Sequence, residues 1–418
     1  MTKRLILAFV FLSWHLVACS NGDSGISSGL PDKPSAEEDS PGTETISEEM
    51  RVKITGEDLY ISAKLDAKTD ILYWFKKCMF NELFTFYRVG TIDNNMPTPA
   101  TLPDASPTSL LNLAYSDNIG PFNITGYGWC GGNHPYLDEV TQTARNIGYR
   151  IYIDGKEIKT DLSTLTKEIK IEVINEIMNP SKADTSSGKT LLNEILCIET
   201  VNYSIYRNNI QVLVTHEFQN ESPVTVQMYY GMQSMFDKET HTLTANGKYV
   251  DWTVQKDVST FTKKEYPSFR RFIEKSANAY QSSYLFADGL GNHEEISDDD
   301  IIFIGNSSNK TYHKIIADRE HKKGDIIHWS GVYTWFKSPV SDDDDLLCYE
   351  GVIDNKKVLF IDCKKSVDRT IQLPVNYTKK SFTIIEKSKS ITITGNKVTA
   401  KGLKIVSDGS GSCVITFD

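Results

Sequence analysis

From Arg51 onward apolar and polar residues alternate over short runs, as in Asp58-Leu59-Tyr60-Ile61-Ser62-Ala63-Lys64-Leu65 and Tyr149-Arg150-Ile151-Tyr152-Ile153. Successive side chains of a strand point to opposite faces, so a period of two predicts half-buried β-strands. Asp154-Gly155 and Asn246-Gly247 each lie between two such runs, and these dipeptides supply the positive φ angles that tight hairpins require. Asn208-Asn209 and Asp354-Asn355 repeat that signal more weakly. The longest series runs from Leu191 to Met235, where Glu194 to Glu199, Ile210 to Phe218 and Val224 to Tyr230 read as successive strands of an antiparallel meander. One stretch departs from the pattern. Phe269, Phe272, Ile273, Ala277 and Tyr280 follow helical spacing after Pro267, which predicts a short helix.

Ser338-Pro339-Val340-Ser341 followed by Asp342 to Asp345 marks a boundary, because four adjacent like charges repel and do not fit inside a strand. Alternation resumes through Lys357 to Asp362, Ser381 to Glu386 and Ser390 to Thr394, and the chain ends on Cys413-Val414-Ile415-Thr416-Phe417. The expected fold is therefore all-β, a large antiparallel two-sheet sandwich over residues 50–338 followed by a small C-terminal β domain over residues 346–418.

The N-terminus reads differently. Lys3 and Arg4 precede an apolar stretch from Leu5 to Val17 that is too short to span a bilayer comfortably and fits a secretory leader. Leu16-Val17-Ala18-Cys19 resembles the lipobox cut by lipoprotein signal peptidase. Residues 1–18 are thus expected to be a signal peptide, and Cys19 the lipidated N-terminus that anchors the protein to the cell-surface or periplasmic face of an outer membrane. The competing reading is an uncut anchor helix with an ordinary thiol at Cys19. Residues 19–49, rich in Ser, Gly, Pro, Asp and Glu, cannot bury enough apolar surface to fold and form a flexible tether.

Cleavage removes Lys3 and Arg4 and no acid, moving the formal charge from −10 to −12. That balance repels nucleic acid. Six cysteines remain after Cys19, widely spaced and without a C-x-x-C pair, so buried thiols are expected, with Cys348 and Cys363 the best-placed pair for a disulfide.

The most unusual local sequence is Trp129-Cys130-Gly131-Gly132-Asn133-His134-Pro135-Tyr136. Its glycines let backbone approach a ligand closely, while Trp, Asn, His and Tyr together offer a stacking face, an amide and proton-transfer groups, the set a sugar-handling site uses. His134, Tyr136 and Arg145 are the candidate catalytic residues; Trp129, Asn133, Glu194, Glu217 and Tyr230 are the candidate substrate contacts. The bland reading of this loop is a long turn whose glycines satisfy geometry. Glu194 and Glu199 point to opposite faces of one strand, so Glu194 with Glu217 is the better carboxylate pair for hydrolysis.

The run from Asp117 through Gly131-Gly132-Asn133-His134 to Arg145, with Tyr152 to Lys156, resembles secreted Bacteroidetes proteins of polysaccharide-utilisation systems. The meander carrying His216-Glu217-Phe218-Gln219-Asn220 before Val224 to Gln233 is similar to the sheet pattern of galactose-mutarotase-like sandwiches, shared by mutarotases and several polysaccharide lyase domains. The paired catalytic histidines and downstream carboxylate of that pattern find no assured positions here. These resemblances imply a carbohydrate-active lipoprotein, a lyase or glycoside hydrolase acting on a polysaccharide. The alternative is a non-catalytic glycan-binding or adhesive surface lipoprotein, for which an aromatic surface suffices. Asp298-Asp299-Asp300 and Asp342 to Asp345 could take calcium, although solvated loops explain them as readily; no cofactor is otherwise expected.

Overall fold

The computed structural model describes residues 46–100, 111–112, 121–235, 241–244, 247–251, 258–262, 271–276, 279–286, 299–304 and 310–417. The leader, Cys19, most of the tether, Asp117 to Gly120, Asn246 and Asp298 lie outside these residues. Thr45–Asp418 forms one compact unit.

The described residues fold almost entirely into antiparallel strands, as the period-two pattern predicts. A ten-stranded sheet runs in the order Tyr249–Asp251, His241–Leu243, Arg271–Lys275, Tyr280–Leu285, Ile326–Phe336, Asn209–Phe218, Ile195–Tyr206, Ile169–Met178, Ala144–Ile153, Lys156–Ile158. Two six-stranded sheets share its core. One runs Leu162–Thr166, Met50–Thr55, Asp58–Lys64, Thr69–Cys78, Leu83–Asp93, Leu111–Asn112; the other runs Val258–Thr262, Asp299–Ile304, Lys310–His321, Val224–Met235, Phe122–Ile124, Gly128–Cys130. A single buried cluster joins all three, with Phe75 and Phe86 of the first set edge-on to Tyr203 and Phe122 of the second stacked on Tyr229. Alternation is visible in the burial itself: along Ile169–Met178 every odd position is buried and every even position up to Glu176 is exposed or only partly buried.

Two of the hairpin signals hold, whereas at Asn208-Asn209 the turn lies one residue earlier, at Arg207-Asn208, with the positive φ on Arg207. Asp154 and Gly155 take φ of 47° and 77° between Ala144–Ile153 and Lys156–Ile158, and Asp354 and Asn355 take 48° and 59°. The C-terminal module is a smaller sandwich in which a five-stranded sheet faces a three-stranded one over a core of Leu346, Ile361, Ile405 and Ile415. Its other face packs on the outer face of the ten-stranded sheet, where Tyr349 and Phe360 meet Tyr284, Val332 and Phe336.

Three expectations need correction. The helix around Phe272 is instead two paired strands, Arg271–Lys275 and Tyr280–Leu285. Phe272 faces inward and Ile273 faces the C-terminal module, so both faces of this strand are buried and the alternation that marks a half-buried strand is erased. The meander is also shorter than expected. Ile195–Tyr206 and Asn209–Phe218 pair as predicted, but the chain then turns through Gln219 to Pro223 into the other layer, where Val224–Met235 pairs with Lys310–His321 and Phe122–Ile124. Lastly, the six described cysteines are buried and in no disulfide, as the preferred reading expects, but the best-placed pair is not bonded: Cys348 lies opposite Ile361 and Cys363 opposite Leu346, so the two are diagonal.

Candidate functional site

The glycine-rich loop is held in place by one buried side chain. Asn81 sits in the turn between Thr69–Cys78 and Leu83–Asp93, where Met79 and Glu82 take φ of 63° and 53°. Its Nδ2 donates to the carbonyls of Gly132 (2.9 Å) and His134 (3.2 Å), and its Oδ1 accepts from the Thr143 N–H at 3.0 Å. Thr143 adds a bond from its hydroxyl to the His134 carbonyl and accepts from the Gly131 N–H at 3.0 Å. Gly131, at φ 77°, lies over Ile177, and an added Cβ would stand 3.3 Å from that side chain, so the glycine allows the loop to approach the ten-stranded sheet.

This scaffold presents an aromatic stack. Phe122, Cys130 and Tyr229 point into the core, while Trp129 and Tyr230 point outward on the same six-stranded sheet. His134 stacks on Trp129 with centroids 5.2 Å apart at 25°, Trp129 on Tyr230 at 5.5 Å and 29°, and Tyr230 against Tyr312 at 4.2 Å and 47°. Separations above 5 Å between near-parallel rings are those of offset stacking, in which each ring leaves part of its face and edge uncovered. Trp129 and His134 are half-buried; Tyr230 and Tyr312 are buried behind them. Burial pushes the Tyr230 phenol up to about 12, against the lowering influence of a hydrogen bond from Tyr312, so the phenol remains a neutral donor, directed at the Met228 sulfur.

The other candidates are distributed over the molecule. Asn133 gives its amide oxygen to the Phe80 N–H at 2.5 Å, a positioning bond that closes the loop onto the turn. The Tyr136 N–H donates to the Thr141 carbonyl at 2.9 Å beside the bridge between Pro135 and Gln142. Arg145 belongs to the ten-stranded sheet and is paired with Glu176 directly across from it. Glu194 accepts from Asn179 Nδ2 at 2.7 Å, just ahead of Ile195–Tyr206, whereas Glu217 is exposed on the outer face of that sheet. In the acidic run, Asp342 is engaged by Lys275, Lys364 and Tyr280, Asp343 by Arg369, and Asp345 by Lys365.

A buried polar chain escaped the reading of the sequence. Asn146 Nδ2 donates to Asn175 Oδ1 (2.9 Å), Asn175 Nδ2 to Glu199 Oε1 (2.8 Å), and Glu199 Oε2 meets His216 Nε2 at 2.9 Å. The four residues occupy facing positions on four adjacent strands, and Glu199 and His216 are fully buried. The signal was available: Glu199 and His216 fall on the inward register of their strands, with Val201 and Val214, where a charged side chain requires a partner. His216 lies edge-on to Phe122 and Tyr229, and both members of the pair are fully buried in the core.

The chain matches no protein-family model, and comparison with curated proteins finds no match. Among solved structures it is similar to a GH36 alpha-galactosidase from Geobacillus stearothermophilus (9% identity, 69% of this chain and 41% of that one, TM-score 0.39). It is also similar to a Glycoside Hydrolase Family 97 enzyme from Pseudoalteromonas sp. strain K8 (6%, 70% and 37%, TM-score 0.35). A third is a protein described as an aldose 1-epimerase from Klebsiella pneumoniae (9%, 69% and 88%, TM-score 0.29). The chain spans about two fifths of the length of the glycoside hydrolases it matches. Likeness at this level leaves the activity to be argued from the residues themselves.

Proposed function

We propose that this protein is a glycan-binding lipoprotein that works outside the cytoplasm, with the Trp129 stack as its carbohydrate contact. The observation that carries the reading is the half-buried pair of rings Trp129 and His134, stacked on each other and backed by the buried Tyr230 and Tyr312. Apolar C–H faces of sugar rings pack on partly exposed aromatic rings, and a row fixed by sheet register binds without first ordering its side chains. Binding is preferred to catalysis because Asn133, Arg145 and Glu194 are each engaged in an internal bond, and Arg145 stands on a different sheet from Trp129. The lipid anchor at Cys19 and the extracytoplasmic setting rest on the leader and the lipobox-like Leu16 to Cys19.

The test is a glycan array probed with the folded body, residues 45 onward, and with Trp129→Ala. Trp129→Ala is expected to weaken binding at least about tenfold, the effect of removing a central aromatic anchor. Binding that survives this change moves the contact elsewhere. Release of unsaturated uronides, abolished by His134→Ala, would instead establish a lyase. Mass spectrometry of the isolated protein, showing acyl chains on Cys19, checks the anchor.

A further inference from the structure

A pocket at the edge of the ten-stranded sheet is lined by none of the residues of the aromatic stack. The turn after Met50–Thr55, Gly56-Glu57-Asp58, and the edge hairpin formed by Ala144–Ile153 and Lys156–Ile158 enclose this open pocket of about 270 Å³. The segment from Lys159 to Asp161, which carries the chain from the edge of one sheet to the edge of the other, closes its third side. At about 30 Å³ per water, that volume holds on the order of nine waters. A single pyranose ring with its hydroxyls fills it.

The lining has the two parts that a sugar site needs. Ile54, Ile151, Ile158 and Tyr149 form an apolar floor, and Tyr149 is fixed by face-on stacking against Phe84 at 4.0 Å and 14°. Two carboxylates on the wall are aimed by internal donors. Asp58 Oδ1 accepts from the Trp74 indole N–H at 2.7 Å, and Asp161 Oδ1 accepts from the Gly56 N–H at 3.0 Å. In each case one oxygen sets the orientation of the carboxylate, and the other is left to accept from a ligand hydroxyl.

Charge selects among sugars. The lining carries Glu57, Asp58, Glu157 and Asp161 against Arg150 and Lys159. Both cations already have carboxylate partners, Arg150 with Glu172 at 3.4 Å and Lys159 with Glu157 at 3.5 Å. Glu57 in turn is paired with Lys77 at 3.0 Å, while Asp58 and Asp161 make no ion pair among the described residues, so a uronate must displace an existing pair and face two uncompensated carboxylates, whereas a neutral ring supplies only hydroxyl donors.

We propose that this pocket is a binding site for one neutral sugar ring, with Tyr149 beneath the ring and Asp58 and Asp161 accepting its hydroxyls. The site does not rest on the aromatic stack and would act as a second, separate contact for a glycan chain.

Trp74 is the natural reporter, because its indole N–H touches Asp58. The full mature chain is labelled with fluorotryptophan, the Trp74 resonance is assigned with Trp74→Phe, and glucose, galactose, mannose and glucuronate are titrated in turn. A saturable movement of the Trp74 resonance with at least one neutral hexose is expected. Asp161→Asn should weaken the apparent affinity about tenfold, the loss of one hydrogen bond to a charged acceptor. Thr160→Trp, on the exposed closing segment, should plug the pocket and abolish the response. The proposal is overturned if no neutral hexose moves Trp74, if the movement survives Thr160→Trp, or if glucuronate binds as tightly as the hexoses. Trp129→Ala, which tests the other site, must leave the Trp74 response unchanged; loss of the response in that variant also overturns the proposal.

Discussion

Arg271 of the ten-stranded sheet grips Asp362 of the C-terminal sandwich with two hydrogen bonds to one oxygen, from Nη2 at 2.5 Å and from Nε at 3.1 Å. Nη2 also donates to the Ile361 carbonyl at 3.2 Å, and the guanidinium lies over the Tyr284 and Phe360 rings. The ion pair is thus placed where the two sandwiches meet, and Arg271 is 2% exposed. Taking two charges out of water is costly, so the pair contributes little net stability but penalises any arrangement that separates its members. The large sandwich and the C-terminal module therefore form one compact unit, although the sequence around Ser338 to Asp345 reads as a boundary.

Arg271→Met should accordingly destabilise the chain by about 3–5 kcal/mol, because Asp362 is left buried without its partner. Arg271→Met combined with Asp362→Leu should recover most of that loss. Urea denaturation of the two single variants and the double variant checks the cycle. If the double variant is as unstable as the singles, packing around the rings and not the uncompensated charge sets the cost.

Glu274 follows the opposite logic. It is 2% exposed on Arg271–Lys275, faces the interior between Thr242 and Gln281, and among the described residues neither carboxylate oxygen has a side-chain hydrogen-bond partner. Burial holds its carboxyl well above the usual carboxylate range. As pH rises past the value of the unfolded chain, the unfolded state ionises first and folding loses stability until the folded carboxyl also ionises. Glu274→Gln should therefore raise stability at neutral pH by about 1–3 kcal/mol and flatten its decline with rising pH. Urea midpoints of both proteins from acid to neutral pH measure this. Equal slopes would mean that Glu274 is solvated or partnered in solution.

The same contrast explains what could be foreseen. Strands with one wet face, such as Ile169–Met178, announce themselves by alternation, and Asp154-Gly155 announces its hairpin by its need for positive φ. Strands wet on neither face, such as Arg271–Lys275, lose that signature, which is why helical spacing was read there. The crossing at Gln219 to Pro223 was hidden for a different reason: a polar turn looks the same whether the next strand pairs with its predecessor or with the opposite layer. Trp129, His134 and Tyr230 could be named from their composition and loop context, but their stacking depends on neighbours distant in the chain, including Tyr312. Pairings such as Glu199 with His216 or Arg271 with Asp362 depend on register and docking, and no local pattern encodes them.

The thiols give a further check. All six described cysteines are buried, and burial pushes the Cys363 and Cys413 thiols up to about 12, so the reactive thiolate is scarce at neutral pH. A thiol reagent such as Ellman's reagent should label none of these six in the folded protein and all six after denaturation without reductant. A smaller count after denaturation would reveal a disulfide, and its partners could be mapped by peptide mass spectrometry.

Asn81 joins stability to the proposed function. It is 2% exposed and its amide contacts three residues of the loop region, the carbonyls of Gly132 and His134 and the N–H of Thr143. Asn81→Ala removes the side-chain partner of the Gly132 carbonyl and the Thr143 N–H, while the His134 carbonyl keeps its bond from the Thr143 hydroxyl, at a cost of about 1–3 kcal/mol. It also frees His134 and Trp129 from the positions that sheet register and the turn impose. The expected outcome is a folded protein whose glycan affinity falls although Trp129 is intact, with the loss arising from order and not from contact area. Hydrogen exchange of residues 131–143 should accelerate in the same variant. If exchange there accelerates while glycan affinity holds, the stack does not need its scaffold, and Trp129 and Tyr230 are positioned by their own strands alone.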